Sequence, residues 1–142
     1  MPNVIFYHKD DIPWQEVRAQ QHGDRRAGVH LKFLERNATR TLSYARYDPG
    51  MIVERHGHVN DHVLYITKGD VMVGDTHCAA GTTVVLERGA KFGPLVAGDQ
   101  GAEMFEVYWG DPGPVPEDPE AFKELLRSKG IEPLPHPPFS RP

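Results

Sequence analysis

The sequence predicts an all-β domain carrying one short helix near its C-terminal end, and three observations lead there. From Val29 to Trp109, short β-prone runs alternate with glycines. Helical periodicity is absent over the same stretch. After Trp109, a break rich in proline and glycine leads into one segment with helix caps.

The elements follow in order. Residues 1–28 mix charge with Pro13, Gly23 and Gly28 and read as an N-terminal arm, with Trp14 as its anchor on the main body. Residues 29–110 form the β domain. Its runs are Val29 to Leu34, Thr41 to Tyr47, Met51 to His58, His62 to Thr67, Val71 to Val73, Thr82 to Leu86 and Met104 to Trp109. Gly50, Gly69, Gly74, Gly81, Gly89, Gly93, Gly98 and Gly101 separate them. Many short strands at such spacing point to a barrel or sandwich. Residues 111–142 form a linker, a helix and a tail that pack on that domain. The linker, through Pro112, Pro114 and Pro116, is not expected to join a sheet. The helix starts with Asp118 as N-cap and Pro119 in first position, presents Phe122, Leu125 and Leu126 as its apolar stripe, and stops at Gly130. The tail from Pro133 to Pro142 is expected to be extended.

Composition narrows the function classes. At 142 residues the chain is long enough for one core, and 25% charged with 39% hydrophobic residues is ordinary for a globular protein. A net charge of -4 with no Lys/Arg block argues against nucleic acid as a partner. Cys78 is the one cysteine, so no disulfide forms within the chain and a reducing compartment, the cytoplasm, is expected. Cys78 reads as a small buried thiol. The apolar run in MPNVIFYHKDD is too short for a signal peptide, and no later run is expected to enter a membrane.

Chemistry concentrates between Pro49 and Asp70, where three of the eight histidines, His56, His58 and His62, fall within seven residues. On a strand, residues two apart share a face, so His56 and His58 can hold one ion between them. A turn through Asn60-Asp61 can bring His62 to the same face. Neutral imidazole is the commonest protein ligand for zinc, copper, iron and nickel. A chance cluster on a surface loop is the competing reading. His77 reads as a solvent-side or hydrogen-bonded histidine, and His8, His22, His30 and His136 lie outside metal-like spacing.

These residues resemble the cupins. Gly50, five residues, His56, one residue, His58, three residues, position 62, six residues and Gly69 reproduce the spacing of the first cupin motif. Position 62 is usually glutamate in that family and is His62 here. The second motif is degenerate. Gly81 and Gly89 keep its spacing, but Glu87 stands at its proline position and Phe92 at its histidine position. The resemblance, to small single-domain bacterial cupins, implies a jelly-roll β-barrel with a metal inside it, and commonly a homodimer.

The resemblance and the histidine spacing together give His56, His58 and His62 as ligands of one divalent transition metal, whether zinc, iron, nickel, copper or manganese. Three neutral imidazoles leave the ion its full charge and an open position for water, a small anion or substrate. Phe92 either walls the pocket or marks a collapsed, vestigial mouth. Glu106 and Glu87 are candidates for a fourth ligand or a general base, with outward solvated glutamates as the alternative. Tyr44, on a strand near the site, joins Glu106 as a catalytic candidate. Two functions compete. One is a metal-dependent enzyme, oxygenase-like, lyase-like or isomerase-like, acting on a small organic acid or ketone. The other is a non-catalytic sensor cupin that binds a small molecule.

Overall fold

The computed structural model describes residues 1–139, so the end of the tail (140–142) lies outside the described residues. The chain forms a jelly roll of antiparallel strands with one helix. After a short helical turn at Lys9–Asp11, the strands are β1 (Gln15–His22), β2 (Arg25–Arg36), β3 (Thr41–Tyr47), β4 (Ile52–Val53), β5 (His56–His58), β6 (His62–Val73), β7 (Thr76–Ala79), β8 (Thr83–Leu86), β9 (Leu95–Tyr108), β10 (Pro114–Pro116) and β11 (Ile131–Pro133), with α1 at Pro119–Ser128 before β11. The larger sheet runs β11-β1-β2-β3-β9-β6-β7, with β4 on β9 and β8 on β6; β10 and β5 form a second, two-stranded sheet. The larger path is open at both ends rather than closed into a ring.

Period-two burial builds the core. β3 alternates strictly, with Thr41, Ser43, Ala45 and Tyr47 buried and the residues between them half-buried. On β6, Leu64 and Ile66 are buried while Tyr65 between them is exposed. Met51, Val71, Leu95 and Met104 complete the packed centre.

The structure departs from the sequence reading in four places. β1 already belongs to the large sheet, so the first 28 residues are more than an arm. Trp14 does anchor that segment, with Lys32 Nζ 4.7 Å and Arg46 Cζ 4.9 Å from its ring centre. Gly69 is a bulge within one long β6 and not a break. Its φ is +68°, and a Cβ there would collide with the carbonyl oxygen of Gly101. β9 likewise runs on through Gly98 and Gly101.

The fourth departure concerns the proline linker, which does pair. Pro114, Val115 and Pro116 lie opposite His58, Gly57 and His56. Proline lacks an N–H but keeps its carbonyl, so a proline-rich segment can serve as an edge strand.

The helix matches its expected start. Asp118 Oδ1 accepts from the Ala121 N–H at 3.0 Å, and Gly130, with φ +68°, follows the last turn. Leu126 is fully buried, while Phe122 and Leu125 are half-buried. Among the described residues no helix is long and apolar enough to cross a membrane.

Candidate metal centre

β5 carries His56, Gly57 and His58, all buried. Gly57 is required by the close approach of a neighbouring loop, because a Cβ there would run into the carbonyl oxygen of Ala90. That loop continues to Phe92, whose backbone exchanges hydrogen bonds with His56 at 2.9 and 3.0 Å. His62 opens β6, opposite Tyr108 of β9 and Leu86 of β8.

His58 lies beside each of the other two imidazoles. Ring centres are 5.0 Å apart for His56–His58 and again for His58–His62. Two imidazoles bound to one ion at about 2.0–2.1 Å place their ring centres roughly 5 Å apart, so each spacing suits a shared ion. As placed, however, no group of three or more His, Cys, Asp or Glu among the described residues is arranged to hold a metal.

Tautomers are fixed from outside the cluster. His56 Nδ1 donates to the Glu54 carbonyl oxygen at 2.7 Å, and His58 Nδ1 donates to the Gly113 carbonyl oxygen at 3.2 Å. A carbonyl only accepts, so each Nε2 keeps its lone pair, as outer hydrogen bonds do for metal-binding histidines. Among the described residues, His58 Nε2, His62 Nδ1 and His62 Nε2 are buried and have no hydrogen-bond partner. Such orphans are costly in a folded protein unless something further satisfies them, and nitrogen lone pairs suit a transition metal. By chemistry the donors suit an ion, although as placed they form no ready metal group among the described residues.

Burial keeps these rings neutral. It pushes His62 down to about 3 and His58 to about 4, with neighbouring imidazoles adding to the effect, and it lowers His56 as well. All three offer lone pairs at neutral pH.

The rings border a cavity of about 280 Å³. Phe92 lies in its wall, 5.0 Å from the His56 ring and 6.1 Å from that of His62. Glu106 is buried in the same cavity. Its Oε2 accepts from Tyr108 Oη at 2.9 Å and Ser43 Oγ at 3.4 Å. Burial raises the carboxyl to about 7, against the lowering effect of those two hydrogen bonds. Burial, with the Glu106 charge, also raises Tyr108 well above the ordinary phenol value.

Two candidates lie elsewhere. Tyr44 points to the opposite face of β3, where its ring packs on Phe105 at 5.0 Å, because Ser43 and Ala45 take the cavity face. Glu87 is exposed in the turn after β8, outside the lining. Cys78 is buried, and exposed His77 bonds Asp70 at 2.8 Å. Sequence reasoning missed Ser43, which the strict alternation of β3 could have supplied. It also missed Arg18, Arg36 and Phe139, which all line the cavity.

An antiparallel jelly roll around a histidine-bordered cavity is the architecture of the cupins. Residues 3–110 match the model of the ChrR cupin-like domain, and the chain belongs to that cupin family. Solved structures agree on the fold. KdgF from Halomonas sp. superposes with a TM-score of 0.61 at 17% identity, covering 84% of this chain and 99% of that one. The polyketide cyclase RemF from Streptomyces resistomycificus gives 0.64 at 17%, covering 86% and 94%. A chain of the Rhodobacter sphaeroides complex of SigE with the anti-sigma ChrR gives 0.55 at 15%, covering 71% and 51%. At these identities the likeness shows the fold alone. A comparison with curated proteins found no match.

Proposed function

We propose that this chain is a metal-dependent cupin enzyme, oxygenase-like or lyase-like, acting on a small organic acid or ketone at a centre formed by His56, His58 and His62. The observation that carries the reading is the cluster of buried imidazoles with three unpartnered nitrogens, beside two Nδ1–H groups tied to backbone carbonyls. A bound divalent ion would supply Lewis-acid polarisation of a substrate oxygen or activation of a small co-ligand. The chain's own groups supply the rest. Phe92 keeps water from one side of the cluster. Glu106, held by Tyr108 and Ser43 and poised at about 7, can take or return a proton inside the cavity.

Three imidazoles leave room for an exogenous ligand, and that is testable. Azide titrated into cobalt-substituted protein is expected to change the visible spectrum saturably. A spectrum indifferent to azide would sink the open centre.

A second reading is a binding module whose cavity holds a small molecule and whose output is a protein contact. It is favoured by the family's description as ChrR-like and by the solved complex of an anti-sigma ChrR with SigE. Protein that carries no metal yet binds a small molecule would favour it.

We read the chain as one cupin domain, cytoplasmic because its single cysteine can form no disulfide within the chain, and homodimeric. Exposed Val4, Ile5 and Phe6 and the outward Tyr65 and Val85 support the dimer. Light scattering should give twice the 16.0 kDa of one chain. A mass of one chain at micromolar concentration contradicts it.

A further inference from the structure

Two arginines reach the cavity, and each gets there through a β-bulge. In β1 the extra residue is Val17: Glu16 lies opposite His30, whereas Arg18 lies opposite Val29. Unbroken alternation would send Val17 inward and Arg18 outward. The bulge turns Arg18 to the face of Val29, and both line the cavity. In β2 the extra residue is Leu34: Phe33 lies opposite Ser43, Glu35 opposite Leu42 and Arg36 opposite the buried Thr41. Without that bulge Glu35 would face in and Arg36 out. Bulges beside binding sites commonly re-aim a side chain. Here both re-aim a cation into an enclosed space, which costs free energy unless a partner meets it.

The two differ in their partners. The Arg18 side chain is three-quarters buried, and its one hydrogen bond among the described residues runs from Nη1 to Glu54 Oε1 at 3.2 Å. A guanidinium has five N–H donors, so most of this fork is unused. Arg18 lines the same cavity as His56, Tyr47 and Tyr108. Arg36 lies over the Phe33 ring, 3.5 Å from exposed Asp111, and Phe33 stacks on Phe139 of the tail. The Arg36 side chain is more buried than that of Arg18, 17% against 25% exposed, with the Phe33 ring lying against its guanidinium.

We propose that the cavity takes a small molecule bearing a carboxylate, that Arg18 is the specificity-determining residue that binds this group, and that Arg36, set against Phe33 and Asp111, forms part of the wall. A planar fork matches a carboxylate's two oxygens. The further oxygens of a phosphate would meet the apolar wall of Val17, Val29 and Leu31. The inference deepens the reading of the cavity as a ligand site and needs no metal.

The test is an NMR titration of the full chain, chelator-treated, with propionate and with its uncharged isostere propionamide. Propionate should shift cavity signals saturably, and propionamide should bind more weakly by about tenfold or more, the worth of a charge-assisted hydrogen bond. Arg18→Gln should abolish the preference and Arg36→Gln should keep it. The double variant Arg18→Gln/Glu54→Gln removes the whole ion pair, leaves no carboxylate stranded, and should also abolish it. Equal binding of acid and amide overturns the proposal. So do a preference surviving in the double variant, no saturable shift by propionate, or tighter binding of inorganic phosphate at the same signals. Metal content is assayed on a separate portion, reconstituted with a divalent metal and desalted. Protein that retains no metal there, yet discriminates through Arg18 in the titration, refutes the metal centre and keeps this site; protein that retains metal but does not discriminate does the reverse.

Discussion

The imidazole of His62 lies flat against the phenol of Tyr108, ring centres 3.9 Å apart and planes 12° from parallel. The pairing of β6 with β9 sets these two residues opposite each other. Because Tyr108 also donates to Glu106, one strand face links the histidine cluster to the buried carboxyl.

Replacing Tyr108 with phenylalanine keeps the stack and removes the donor. The Tyr108 hydrogen bond holds the Glu106 carboxyl down against burial, so its titration should move upward from about 7 in the variant. Carbon-detected NMR of the glutamate carboxyls reads this directly. An unchanged or lower midpoint would show that the hydrogen bond does not tune the acid.

Phe92 stands where the family's second motif carries histidine, with its ring 5.0 Å from that of His56. Phe92→His should add an imidazole to the cluster and raise metal affinity by about tenfold or more, since even outer-shell partners are worth that much. Competition with a chromophoric chelator measures it. Unchanged affinity would mean that position 92 does not face the centre.

The metal-free protein should lose stability on mild acidification. The unfolded chain protonates its histidines at about 6.5, while folded His58 waits until about 4 and folded His62 until about 3. Between those values the unfolded state binds more protons, so stability falls as pH falls. Glu106 works the other way. Its folded pKa of about 7 exceeds the unfolded 4.5, so its contribution is present below 4.5 and lost as pH rises through 7. At least two imidazoles outweigh one carboxyl, so urea unfolding midpoints should climb between pH 4.5 and 6.5. In Glu106→Gln the climb should be steeper. A flat or falling profile contradicts this assignment.

What was legible in the sequence depended on regularity. The His-x-His pair, strand β3 and the capped helix follow periods of two and 3.6 and local capping chemistry, which single residues announce. Bulges break those periods without a sequence mark. Nothing around Val17 or Leu34 says that the next cation turns inward, so Arg18 and Arg36 stayed hidden. Tyr44 was misplaced by one position on a strand whose inward face is set by its partners β2 and β9, not by its own residues. The proline linker was missed for a similar reason. Proline's lack of an N–H argues against a central strand, yet β10 needs little more than carbonyls to edge β5. Its neighbour Gly113 then supplies the oxygen that orients His58.

The central claim, a metal held by His56, His58 and His62, is tested most directly by elemental analysis of protein reconstituted with a divalent metal and then desalted. The account predicts about one ion per chain in the wild type and almost none in a His56→Ala/His58→Ala variant whose circular dichroism is unchanged. Equal metal in the two proteins, or none in the reconstituted wild type, would contradict it.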